Sequence, residues 1–325
     1  MPLRPPRCLA TFFAVSFSLR LNWQGGFSDE LLDSAVSVPG LALTAASMLA
    51  MFAVGMRFDG LKQTLGFLLV SQVIFFFAWQ QNRRFPHALA MALNGFTAAK
   101  LCLLDPGQNG LIRIFEHDHH AVSPMLLLAA AVFAFDRFAA HRWFYSALSV
   151  AAVAQFIWFE APAGWRLAAW AALSAALWIQ RQEREFRYEA WAVGTLVALS
   201  GVGWLVGAGG PHHTLAWVAA AVALGWQAWT AFGDAELPER AAALLPLTAS
   251  SMLCAGALMW HALPSPLVAP AWGLLALAGI EIAAMAGFRE LEWCATVGAW
   301  AAGGRLRKSS RSRGCGSANS WPMPT

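Results

Sequence analysis

"TLAWVAAAVALGWQAWTAF", residues 214–232, runs for nineteen residues without one charged side chain. As a helix it would cover roughly 28 Å, close to the ~30 Å of hydrocarbon in a bilayer. Its residues do not alternate polar with apolar, as a membrane barrel strand must, so a helix is the reading. Comparable runs occur on both sides of it, near 35–56, 63–80, 88–104, 121–135, 143–159, 165–180, 190–208, 241–262 and 267–286. Together they predict an all-α, polytopic transmembrane helix bundle of about ten spans, built from short-looped helical hairpins. Several runs hold only 15 to 18 residues and would rely on snorkelling at their ends.

Composition leads to the same class. Of 325 residues, 58% are hydrophobic and 12% charged, against about 25% charged in a soluble domain. That is too little charge for a water-facing surface of this size. The net charge of +4 does not indicate nucleic acid, because the basic residues sit in short clusters between apolar runs. The lipid bilayer is the expected partner, with a second copy of the chain or another membrane protein as the candidate protein partner. Cys8, Cys102, Cys254, Cys294 and Cys315 are scattered without C-x-x-C spacing, which predicts neither a disulfide framework nor a thiolate metal site.

Tryptophan placement fits the span ends. Trp79, Trp143, Trp158, Trp165, Trp178, Trp191 and Trp260 lie near them, where an amphipathic ring favours the headgroup layer. Lysine and arginine give the orientation. Seventeen lie on one face: Arg4, Arg7, Arg20, Arg83, Arg84, Arg137, Arg142, Arg181, Arg184, Arg187, Arg240, Arg289, Arg305, Arg307, Lys308, Arg311 and Arg313. Four lie on the other, Arg57, Lys62, Arg113 and Arg166. The rule that positive loops stay inside then predicts that both termini are cytoplasmic. Arg84, Arg137, Arg187, Arg240 and Arg289 are spaced by 53, 50, 53 and 49 residues, one helical hairpin per interval. Any chain of short-looped hairpins has such a period, and little residue identity accompanies it.

The chain divides into an N-terminal cytoplasmic or interfacial segment (1–34), a transmembrane helical domain (35–302) and a basic tail (303–325) of disordered composition. Residues 8–19, "CLATFFAVSFSL", are apolar but short, and read as interfacial or re-entrant. The abrupt change into "GGRLRKSSRSRGCG" is what a truncated or frame-shifted C-terminus would produce.

The chemistry-bearing residues concentrate in "EHDHH", 116–120. With the orientation above, His117, His119, His120, His212, His213 and His261 are extracytoplasmic. Imidazole with carboxylate suits a divalent transition metal, so His117, Asp118, His119, His120, His212 and His213 are the candidate ligands if loops 105–120 and 209–214 meet. No H-E-x-x-H motif is present, and the plain alternative is a wet interfacial loop. Two charges fall within spans, Lys100 and Glu281. A charge in hydrocarbon is costly. Their depths differ by roughly 15 Å, so snorkelling or a polar cavity is expected in place of a mutual pair. Ser71, Gln72, Asn94, Gln155 and Gln227 could bridge helices. Acids at "SDELLD" (Asp29, Glu30, Asp33) would suit a lipid-linked sugar transferase only if 8–19 spanned, and a helix of that length covers about 18 Å. No Walker motif or nucleophile elbow appears.

The Arg-bearing turns "DRFAAHRW" (136–143), "QRQEREFRYEAW" (180–191) and "GFRELEW" (287–293) resemble those of a family of large bacterial multi-pass membrane proteins of unknown function. The resemblance implies an inner-membrane location and a longer natural chain, and brings no catalytic residue. The expected function is a non-enzymatic membrane protein, either a transporter-like bundle or an envelope scaffold. The alternative is a metal-binding membrane enzyme or metal-handling protein using the extracytoplasmic histidines.

Overall fold

A computed structural model describes residues 35–299, apart from 82–83, 109, 115–116, 141–142, 183, 206–212 and 235–239. The expectations for 1–34 and for the tail therefore lie outside the described residues. The helices are α1 (Val38–Arg57), α2 (Gly60–Gln81), α3 (Arg84–Leu103), α4 (Ser123–Ala140), α5 (Trp143–Glu160), α6 (Arg166–Ile179), α7 (Arg184–Leu205), α8 (Thr214–Gly233), α9 (Arg240–Ala262), α10 (Ser265–Ala286) and α11 (289–299). Between α3 and α4 the chain forms a 3-10 turn (Asp105–Gln108) and a two-stranded antiparallel hairpin, β1 (Leu111–Ile114) and β2 (His117–His120). The segment expected as a loop is thus partly ordered as strand.

Local chemistry accounts for several ends. The Ser37 hydroxyl accepts the Gly40 N–H at 3.2 Å at the start of α1, and Pro39 lies in the first turn, where no donor is needed. α10 stops at Gly287, whose φ of 70° is the left-handed conformation that glycine adopts without strain.

Among the described residues, six helices are long and apolar enough to cross a membrane: α1, α2, α4, α8, α9 and α10. This bears out a helical, membrane-type chain. It supports six spans, fewer than the ten expected. The remaining candidates fall short for identifiable reasons. α6 has only 14 residues. α3 carries Arg84, His87, Asn94 and Lys100, α7 carries Arg184, Glu185, Arg187 and Glu189, and Tyr145, Gln155 and Glu160 dilute α5.

The described residues fall into two compact units, one up to Ala161 and one from Pro162. In the first, α2 packs on α3 and α4 on α5, while α2 also meets α4 and α3 meets α5. Phe133, Tyr145, Leu126 and Leu101 fill its core, with the Phe75 and Tyr145 rings edge to face at 5.3 Å. In the second, α6 packs on α7 and α8 on α9, while α6 meets α8 and α7 meets α9. The same layout of two hairpins is therefore built twice, but the hairpins that pack turn at the Arg clusters, so they are offset by one helix from the pairs that the Arg spacing encloses. Trp170, Trp178 and Trp217 are fully buried in the second unit. For Trp178 this replaces the expected headgroup position. Its indole N–H donates to Thr230 Oγ1 at 2.7 Å, so the polar edge needs no water.

Candidate functional site

Three polar constellations stand out in the first unit, and each joins residues far apart in sequence.

The β-hairpin carries the first. In its register Leu111 faces His120, Ile112 faces His119, Arg113 faces Asp118 and Ile114 faces His117, and Ala121 N–H to Gly110 O at 2.9 Å continues the pairing. The last residue of α5, Glu160, holds β2. Its Oε2 accepts from His119 Nδ1 at 2.6 Å, and its Oε1 accepts from the His120 backbone N–H at 3.0 Å and from the Ser123 hydroxyl. An acid in the last turn of a helix opposes the helix dipole, so these three donors do the holding. Burial alone would raise the Glu160 carboxyl, but the bonds from Ser123, His119 and His120 outweigh it and leave it below its ordinary value. The His120 ring lies against Phe159 at a centroid distance of 5.1 Å. Asp118 is exposed and the His119 side chain is 37% exposed. A carboxylate on Nδ1 fixes the ring so that Nε2 is the atom left for a proton or a metal.

Of the other expected ligands, the His117 side chain and His212 lie outside the described residues. His213 belongs to the second unit, where it stands at the N-cap position of α8 without a capping bond from its side chain. Its N–H donates to Gly164 O at 3.0 Å and its ring lies 5.3 Å from that of Trp165. Among the described residues, no group of three or more His, Cys, Asp or Glu side chains is arranged to hold a metal ion.

The second constellation surrounds Lys100, in the last turn of α3. Its ammonium donates to Gly60 O at 3.2 Å, Thr64 Oγ1 at 2.6 Å and Asp105 Oδ1 at 2.6 Å, using all three protons. Thr64 in turn donates to Asp105 Oδ2 at 2.5 Å. The charge is thus turned into the protein, towards the end of its own helix. Glu281 on α10 is exposed and has no hydrogen-bond or ion-pair partner among the described residues.

The third constellation lies inside the apolar stretch. Gln72 Nε2 donates to Asp136 Oδ2 at 2.8 Å, and Asn94 Oδ1, 3.4 Å from the same nitrogen, accepts from Ser71 Oγ at 2.7 Å. Ser71, Asn94 and Asp136 are all fully buried. Ser71, Gln72 and Asn94 were legible as helix bridges. Asp136 was missed because, beside Arg137, it reads as the start of a polar turn. Asp105 and Glu160 were missed for a similar reason: each directly follows an apolar run and passes for loop.

The fold thus defines an all-helical protein with several membrane-capable helices, a polar cluster among them and a histidine hairpin clamped by Glu160. No protein-family model, curated protein or solved structure matches the chain. The turn-level resemblance noted above therefore leads to no family assignment.

Proposed function

We propose that the protein is a non-enzymatic, multi-pass protein of a bacterial inner membrane, with about ten spans and both termini cytoplasmic, and that it works as a transporter-like bundle. The observation that carries this reading is Asp136, fully buried on membrane-capable α4 and bonded to Gln72 of α2. Placing an ionisable side chain at the centre of a span costs about 2.5–3.5 kcal/mol on insertion scales and less towards its ends, and buried acids on spans mark solute or ion paths. An envelope scaffold has no need of one. The four helices that fall short of the apolar threshold span in this reading by covering their polar groups with neighbouring helices, as Asn94 is covered by Ser71. The test is uptake of a mixed set of small solutes into liposomes holding the full chain, read by mass spectrometry. Protein-dependent accumulation of any solute supports the reading, and leak equal to that of empty liposomes for every solute leaves the scaffold.

A second reading has its own observation. Glu160 on His119 Nδ1 is the outer-sphere arrangement that orients a metal-ligating imidazole. The metal-handling alternative places a divalent transition metal on His119 Nε2, with His117, Asp118 and His120 of the same hairpin as the other candidate ligands. Metal content after exposure to zinc, copper and nickel, compared with a His117→Ala, His119→Ala, His120→Ala variant, decides it. Stoichiometric metal lost in the variant supports the site, and equal content in both forms removes it.

A further inference from the structure

We infer that Asp136 is a site of proton uptake and release within the helical bundle, so that the proton is a ligand of the transporter-like protein; this rests on the transporter reading above. Among the described residues the carboxyl has one hydrogen bond, from Gln72 Nε2 to Oδ2 at 2.8 Å. Its other oxygen, Oδ1, is buried without a hydrogen-bond partner, and so is Asn94 Nδ2 in the same cluster. Asp105 differs, since Lys100 and Thr64 satisfy both of its oxygens, and a buried polar atom without a partner calls for an explanation. At Asp136 one oxygen is held and one is left bare.

The chemistry of the surroundings selects a proton over a metal cation. A hard cation such as calcium or magnesium collects about six or more oxygen ligands. In the cluster around Asp136, Asn94 Oδ1 already accepts from Ser71, and the atom that meets the carboxyl from α2 is the Gln72 amide nitrogen, a donor. A proton needs only Oδ1. Uptake forms an O–H bond at Oδ1 as a hydronium ion gives up its proton and becomes water, and release reverses both steps.

Among the described residues, the nearby charged and titratable groups are few. Arg137 follows Asp136 on α4. In the same half of the unit α3 brings Arg84 and His87, α5 brings Tyr145 and α2 brings none, since its Lys62 lies in its first turn. The His87 and Tyr145 rings both lie against Phe75, at 6.4 Å and 5.3 Å. None of these groups is hydrogen-bonded to Asp136.

The second unit supplies an internal comparison. Gln227 occupies the fourteenth position of α8, as Asp136 does of α4, and its Oε1 accepts from Ser174 Oγ of α6 at 3.1 Å. The layout thus tolerates a neutral amide at that place, and Asp136→Asn is a fair substitution to make.

The test is infrared difference spectroscopy across a pH titration of the full chain in lipid membranes. The expected result is a carboxylic-acid C=O band that appears and disappears with pH, is lost in Asp136→Asn and is retained in Glu281→Gln. Gln72→Leu, which keeps the carboxyl and removes its donor, should shift the frequency of that band, so the inference can be tested even if Asp136→Asn fails to fold. The same band in wild type and Asp136→Asn, no shift in Gln72→Leu, or a band displaced by sodium at constant pH each overturns the proton site. Loss of the band has no bearing on solute uptake. If the band is found and no solute enters liposomes, the proton site stands and the transporter reading falls.

Discussion

Lys100 Nζ and Asp105 Oδ1 lie 2.6 Å apart at the end of α3, with side chains only 9% and 1% exposed. Five residues separate them, and the 3-10 turn folds the acid back over the lysine's helix. Removing one partner of a buried pair strands the other charge, so Lys100→Met or Asp105→Ala should each destabilise the first unit by about 3–5 kcal/mol. The double variant Lys100→Met, Asp105→Leu should recover much of that loss. Thermal unfolding in one detergent, run on all four proteins, checks both expectations.

Glu160 sets a pH dependence for the hairpin. Its folded carboxyl lies below its ordinary value, so the contribution is complete above the unfolded value and is lost as pH falls through the folded one. Protection of the His120 backbone N–H against hydrogen exchange, relative to its intrinsic rate at each pH, should therefore be high at neutral pH and fall on acidification below the ordinary carboxylate range. Glu160→Gln should show low protection throughout and lose that dependence. High protection in the variant would show that the hairpin is held by its strand pairing alone.

Trp178 and Thr230 share one hydrogen bond between α6 and α8 in the core of the second unit. Thr230→Val keeps the shape and leaves the buried indole N–H without its acceptor. A loss of about 1–3 kcal/mol is expected. Trp178→Phe in the Thr230→Val background should cost less than the two single changes added together, as a double-mutant cycle on unfolding would show.

At Gly164 a Cβ would stand 2.5 Å from His213 Cδ2, inside contact distance. Gly164→Ala should push the His213 ring off Trp165 and cost about 1–3 kcal/mol. His213→Ala should relieve most of that cost. Equal destabilisation in both backgrounds would place the requirement for glycine in the backbone.

Apolar run length was enough to locate nearly every helix, because a lipid-soluble helix must be apolar along its whole span whatever its neighbours are. The same criterion also counts α3, α5, α6 and α7, which fall below the six membrane-capable helices, α6 for its 14 residues and the others for the polar residues they carry. Trp178 shows how the reading by position can fail: near a span end it looked like a headgroup anchor, yet Thr230 satisfies its N–H internally. "EHDHH" was visible as a cluster of ligand-type residues, but its clamp lies forty residues further on at Glu160.

By itself the sequence determined the helical class of the chain and the helix positions, since these depend on composition and on spacing along one segment. Only the tertiary structure decided which polar groups matter. Asp105, Asp136 and Glu160 each look like the first polar residue after an apolar run. Each is buried or clamped by partners from other elements, Thr64 and Lys100, Gln72, and His119 with Ser123. A hydrogen bond depends on distance in space, and separation along the chain does not reveal which helices will bring its two ends together.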